Sequence, residues 1–431
     1  MKLAKMSLAA AMLLGANLYA IDNVKVEGDA KLYYQTADNS NDGAGGDNGN
    51  ALFNKKGAAG QAALGLGITA DLTEGVSAGA HLTALSTLGL EGQLVNNVWE
   101  APNGLDDYFW FDEVWMAGTV GKTTAKVGRM PLDTPLVFTE TWSIAPNTFE
   151  AGVLINQDLP DTTIVAAYVG GSNGNEESAG SNAGGGIGSV LGGVNANGNT
   201  NFRQFYDGAF AAGIVNNSWK PLAVQAWYYN AQEDGNTHAL GLTSVQAYWL
   251  QADLDMEGIL AGAQYTSIDY NAGAVTPDNN AWAVMLGYAM KDVATIKVAY
   301  SQTGEEKIAE LGAGGNLAAS GQSKLYTEAW WNYGYITGAD TSALNVTVEA
   351  TVAEIDLGAY YTATDAGSNG ATVDTRADMT ELTLSATKSF GPLDASLVYI
   401  FTDAEDQNVK GAAALDGESY NIIQAYLTYN F

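Results

Sequence analysis

The connections between the strand-like segments of this chain alternate in length without exception. Nine are long and lie near Ala37–Gly57, Gly89–Asp107, Pro131–Glu150, Gly171–Asn201, Ala231–Thr243, Asn271–Asn279, Gly304–Thr341, Asp365–Ala377 and Ala404–Glu418. Eight are tight and lie near Asp71, Thr119, Asp158, Asn216, Asp255, Lys291, Val352 and Phe390. In an antiparallel meander, all connections of one parity emerge at the same end. Short turns at one rim and long loops at the other are what a closed transmembrane barrel shows, and a soluble sandwich has no reason for them. The count predicts an all-β fold, a transmembrane antiparallel β-barrel of about 18 strands with both termini at the short-turn rim.

The segments alternate as strands with one apolar face should. Leu344, Val346, Val348, Ala350 and Val352 oppose Asn345, Thr347, Glu349 and Thr351. Val24, Val26, Ala30, Leu32 and Tyr34 oppose Lys25, Glu27, Asp29 and Lys31. All eight prolines fall in loops or turns, as a closed ladder demands. Within Gly304–Thr341, the stretch KLYTEAWWNYGYI has strand-like composition. An extra strand there would break the parity, so the segment reads as a folded loop.

Charged residues make up 15% of the chain, against roughly 25% in soluble proteins. Mean hydropathy is −0.05, as expected when only one face of each strand meets lipid. Residues 1–20 read as a signal peptide, with Lys2 and Lys5 before the apolar run Met6–Leu14 and small Ala20 at the end. That leaves 21–431 as a single barrel domain. No later segment is a continuous apolar run long enough for a spanning helix. The last strand, NIIQAYLTYNF, puts Ile423, Ala425, Leu427, Tyr429 and Phe431 on one face, a stripe suited to outer-membrane lipid.

Removing Lys2 and Lys5 leaves 18 − 2 = 16 basic residues against 48 acidic ones, a net −32. Such a balance excludes nucleic acid as a partner and favours cations. Weak binding of divalent ions (calcium or magnesium) fits acid pairs such as Asp106–Asp107 and Glu305–Glu306, and no other cofactor is expected. The chain has no cysteine, which rules out disulfides and thiolate chemistry. AGTVGKTT lacks the first glycine of a phosphate loop and sits in a hairpin turn. GGGIGS belongs to a low-complexity loop. His81 and His238 are the only histidines, and no hydrolase motif surrounds them. The chain does not read as an enzyme.

A barrel of about 18 strands is too wide for side chains to fill, so something must narrow it. The third long loop, within RMPLDTPLVFTETWSIAPNTFEAG, is the candidate. It carries Pro131, Pro135 and Pro146, and apolar Leu132, Leu136, Val137, Phe138, Trp142, Ile144 and Phe149. A loop this apolar should fold into the lumen rather than stand in water, and its prolines keep it from adding a strand. Its acids Asp133, Glu140 and Glu150 then line a pore constriction, with Arg129, Arg203 and Lys297 as opposing bases. The competing reading is that these are solvated rim charges.

VGRMPLDTP and PNTFEAGVLINQDLPDTTIVAAYVGG resemble the constriction-loop region of OprD-type porins, and of the major outer-membrane porins of campylobacter-like bacteria. The opening VKVEGDAKLYYQT is similar in kind. The resemblance implies a third loop folded inward and passive diffusion of ions and small hydrophilic solutes. It also implies the Gram-negative outer membrane and a homotrimer. Where that family often carries Asp-x-Arg before the second proline, this chain reads TETWSIAP, so carboxylate specificity is not carried over. The acidic balance points to cation preference. The alternative is a surface adhesin or structural barrel whose lumen is closed.

Overall fold

The computed structural model describes residues 21–38, 51–86, 88–89, 94–95, 108–141, 144–174, 202–232, 244–271, 278–305, 313–317, 322–367, 378–403 and 419–431. Residues 1–20, which the sequence reads as a signal peptide, the pair Asp106–Asp107, Trp142, His238 and Glu306 lie outside them.

Eighteen strands follow one another. They are β1 (Asp22–Ala37), β2 (Ala58–Thr73), β3 (Val76–Ser86), β4 (Tyr108–Val120), β5 (Thr123–Met130) and β6 (Phe149–Asn156). Next come β7 (Thr162–Ser172), β8 (Arg203–Trp219), β9 (Leu222–Gln232), β10 (Ser244–Met256), β11 (Ile259–Asn271) and β12 (Asp278–Met290). The last six are β13 (Ala294–Thr303), β14 (Thr341–Val352), β15 (Ile355–Ala366), β16 (Met379–Phe390), β17 (Leu393–Asp403) and β18 (Tyr420–Asn430). Each pairs antiparallel with its sequence neighbours, and β1 pairs with β18, from Asp29 opposite Asn430 to Ala37 opposite Ile422. The sheet is thus a closed barrel of 18 strands, the architecture the loop parity predicts.

Closure leaves no open ladder edge. At the seam, Phe431 and Gly28 exchange backbone hydrogen bonds of 2.7 and 2.8 Å. A Cβ on Gly28 would lie 2.8 Å from the backbone oxygen of Gly65 on β2, so this strand crossing needs glycine. The tight connections are as short as two residues. Ala353 and Glu354 between β14 and β15 both have positive φ, 51° and 63°. That is the backbone of a type I′ hairpin turn, here built without Asn or Gly.

The two faces of the wall divide as the alternation demands. On β14, Leu344, Val348 and Val352 are exposed on the outside, while Asn345 is buried inside. Outward aromatics near the long-loop ends form a belt of adjacent rings, with Tyr168–Phe210 centroids 5.1 Å apart, Tyr228–Tyr248 5.2 Å and Trp282–Tyr300 5.5 Å. Such rings suit the lipid–water interface. On β16 to β18 the inside is mixed, with buried Glu381, Thr383, Thr402 and Gln424 beside buried Val398, Ile400 and Ile422. On β9 to β12 it is apolar, with buried Trp227, Tyr229, Trp249 and Ala281. The buried core therefore sits inside the barrel, where inward-folded loops meet this apolar wall.

Candidate functional site: the constriction

The connection between β5 and β6 folds into the lumen. Leu132, Leu136, Val137, Phe138, Ile144 and Phe149 are all buried. Leu136 and Val137 join the cluster of Trp227, Tyr229 and Trp249 on one wall. Ile144 and Ala145 pack with Tyr33, Leu85 and Trp110 on another. Local hydrogen bonds keep the loop compact. Thr139 N–H donates to Leu132 O at 2.8 Å, and Thr134 Oγ1 donates to Val137 O at 2.7 Å. Asn173, from the next long connection, accepts from Thr148 N–H through Oδ1 at 2.7 Å.

A second segment, between β13 and β14, folds inward to meet it. This is the strand-like KLYTEAWWNYGYI stretch, and in the structure it forms no barrel strand. Leu325, Ala329 and Ile336 are buried in the same cluster as Leu136. Leu317 N–H donates to Leu136 O at 2.9 Å. Asn316 is the junction: its Nδ2 donates to Phe138 O at 2.8 Å and to Glu140 Oε1 at 3.0 Å, and its Oδ1 accepts from Phe138 N–H at 3.3 Å.

The wall holds this second segment at several points. Gln264 Nε2 donates to Lys324 O at 2.8 Å, and its Oε1 accepts from Tyr326 N–H at 3.0 Å. Ser301 and Thr327 hydroxyls lie 2.6 Å apart. The densest anchor is Glu381 on β16. It accepts the backbone N–H groups of Trp330 at 2.8 Å, Trp331 at 3.2 Å and Asn332 at 2.8 Å, and Asn332 Nδ2 at 2.9 Å. A buried carboxylate with this many donors is satisfied, and so are the donors.

The charged residues expected at the constriction separate into distinct places. Asp133 stays there: its side chain is 90% exposed and pairs with Lys324 of the second segment. Lys324 Nζ also lies 4.8 Å from the centre of the Phe138 ring. Glu140 is fully buried and binds Asn316, so it holds the two segments together rather than facing the lumen. Arg129 and Glu150 face neither. The register sets Arg129 opposite both Val114 and Glu150. Val114 is exposed on the outside, so this face points away from the lumen. Arg129 binds Glu150 at 2.9 Å, donates to Phe111 O at 3.1 Å and covers the Phe202 ring at 3.8 Å. Arg203 opens β8 opposite Ser172, and its side chain lies outside the described residues. Lys297 faces the lumen, between outward Ile296 and Val298, and pairs with Glu349 at 3.4 Å.

Other acids line the inner wall. A bulge between β3 and β4 gives β4 an extra residue. Asp112 sits there, buried, with both carboxylate oxygens 2.8 Å from His81 Nδ1, and it accepts from Thr83 Oγ1 at 3.0 Å. Its neighbour Glu113 accepts from Trp115 Nε1 at 3.1 Å, and Lys126 covers that indole at 4.1 Å. Inside the second segment, burial pushes the Glu328 carboxyl above its ordinary range. Hydrogen bonds from Ser323 oppose the rise, and the nearby Glu140 and Glu381 charges add to it. Among the described residues, no group of three or more His, Asp or Glu side chains is arranged to hold a metal ion.

Several solved porins share this architecture. Pseudomonas aeruginosa OccK3 (OpdO) superposes with a TM-score of 0.66 at 11% identity, covering 96% of this chain and 99% of its own. P. aeruginosa OccK9 (OpdG) gives 0.66 at 14% identity with the same coverage. P. aeruginosa OccK1 (OpdK) gives 0.66 at 13%, covering 95% and 99%. At these identities the likeness shows the fold alone. No curated protein matches the chain in sequence. The model of the Gram-negative porin family does match, over residues 7–329, three quarters of the chain. With its 18-strand barrel, the chain belongs to the Gram-negative porin family and forms an outer-membrane channel.

Proposed function

We propose that this channel serves passive diffusion of ions and small hydrophilic solutes, with a preference for cations. The observation that carries the reading is the junction of two inward-folded segments within a wide lumen. There Asp133 and Lys324 are the charges in reach of a passing solute. Cation preference rests on the acidic balance, 48 acids against 18 bases, and on inward-facing acids such as Asp112 and Glu113. Fixed negative charge along a narrow, low-dielectric path raises the local concentration of cations and opposes anion entry. The resemblance to trimeric porins supports a homotrimer.

Planar-bilayer recording tests the reading. Purified protein should give ohmic steps, grouped in threes for a trimer, and a reversal potential of cation-selective sign in a potassium chloride gradient. A barrel that inserts without ohmic steps is the closed adhesin or structural barrel instead. Ohmic steps with anion selectivity keep the channel and remove the cation preference.

A further inference from the structure

We propose that the lumen carries a subsite for neutral saccharides on the short-turn side of the constriction, built from Trp330, Tyr360, Glu349 and Lys297. It presupposes the open channel of the preceding section. Trp330 lies on the second inward segment and is 39% exposed, although it does not sit on the lipid-facing surface. An indole exposed inside the lumen offers a flat apolar face against which a solute can stack. Its backbone N–H is bound by Glu381 at 2.8 Å, which fixes the platform. The Tyr360 ring packs against the indole, centroids 5.1 Å apart and planes at 38°.

From this platform a chain of polar groups leads down the wall. The Tyr360 hydroxyl donates to Glu349 Oε1 at 3.2 Å, and Glu349 Oε2 lies 3.4 Å from Lys297 Nζ. Tyr360 is opposite Thr347, and Glu349 is opposite Gly358, two residues nearer the turn at Ala353–Glu354. Glu349 therefore lies nearer the short-turn rim than Tyr360, and Lys297, opposite Thr347, is level with Tyr360 along the wall. Lys297 and Glu349 are each more than a third exposed and available to a solute.

The chemistry of this strip selects a sugar. A pyranose presents a face of C–H bonds to the negative face of an aromatic ring, and hydroxyls at its edge. Glu349 and the Tyr360 hydroxyl oxygen accept from those hydroxyls, while Lys297 donates to them. The two charges cancel, so the strip offers no net attraction to either ion. A zwitterion would have to split the Lys297–Glu349 pair, whereas hydroxyls bind beside it. A few placed polar groups next to an apolar platform are the usual make-up of a small-molecule site.

The test is block of the open channel by maltose. Parent channels should show reversible, concentration-dependent interruptions of current, with a Kd in the millimolar range. Trp330→Ala should weaken the block by about 3- to 10-fold, the scale of one aromatic contact. Trp330→Phe should retain most of it, and Glu349→Gln should weaken it, read as the fraction of each channel's own open current that maltose interrupts. If Trp330→Ala itself alters the salt conductance, Glu349→Gln and Trp330→Phe decide. Ohmic channels that maltose does not block overturn the subsite, as does Glu349→Gln blocking like the parent. Block by glycine with none by maltose also overturns it. A barrel with no ohmic steps removes the channel reading and the subsite with it, whereas ohmic steps without sugar block remove the subsite alone.

Discussion

Replacing Glu381 by alanine should release residues 330–332 of the second inward segment and widen the channel there. The wild-type carboxylate is 1% exposed and binds three consecutive backbone N–H groups, those of Trp330, Trp331 and Asn332. Alanine takes this acceptor from all three, which lie in buried or half-buried backbone. Each such group costs about 1–3 kcal/mol, so the loss is about 3–9 kcal/mol if the segment stays in place. Water in the lumen can re-solvate the groups if the segment moves, which sets the lower figure as the drive for detachment. At about 3 kcal/mol, the ratio of attached to detached segment falls about 150-fold. Anchors at Gln264 and Ser301 hold Lys324 and Thr327, so the movement is local to residues 330–332. Glu381→Gln keeps one acceptor oxygen but loses the charge, and should fall between the two. The assay is single-channel recording of protein whose mobility on a denaturing gel still changes on boiling, which shows an intact barrel. Glu381→Ala should conduct more than the parent, with added open-channel noise. An intact Glu381→Ala barrel with the parent's amplitude and noise would refute the reasoning.

Lys324→Gln should strengthen cation preference and Asp133→Asn should weaken it, read as opposite shifts of reversal potential. Both shifts should fade as the Debye length falls from about 10 Å at 0.1 M to about 3 Å at 1 M salt. Glu140→Gln should leave the reversal potential unchanged, because that carboxylate is buried against Asn316. Deleting residues 132–146 should leave a folded barrel of larger conductance, and a deletion that conducts like the parent would assign the narrowing to the second segment alone. Because burial raises the Glu328 carboxyl, its neutral form stabilises the attached segment in acid, and that contribution is lost as pH rises through the raised value. Open-channel noise should therefore increase with pH above the ordinary carboxylate range, and Glu328→Gln should flatten the dependence. Ala353→Asn with Glu354→Gly should stabilise the barrel by about 1 kcal/mol, since both positions have positive φ, read as a higher denaturant midpoint.

The architecture was legible because loop parity and side-chain alternation are local properties. Each tight turn needs only a few residues to show itself, and the parity fixes which rim every other connection joins. The third loop was legible for the same reason, since its prolines and apolar residues lie together in the chain. The constriction's other half was not. Lys324 is 191 residues from Asp133, and the anchor Glu381 is about 50 residues from the backbone it binds. Nothing in either neighbourhood names the partner. Glu381 alternates with Leu382 like any inward polar residue. Arg129 is different, because its signal was present: Ala125 and Val127 set the outward parity, and Arg129 shares it. Its position beside a charged loop suggested the lumen, while the strand period already turned it outward.

The strands that carry the two inward segments, β5 and β13, stand eight places apart one way round the ring of 18 and ten the other. The backbone bond from Leu317 to Leu136 and the bonds of Asn316 therefore tie nearly opposite sides of the barrel together. A bare cylinder this wide flattens easily under lateral pressure from the bilayer. A tie across its diameter resists that ovalisation and makes the aperture depend on the shape of the whole cylinder. Bilayer tension or thickness then becomes a variable that conductance should report, and cutting the tie at Asn316 should make the channel more sensitive to it.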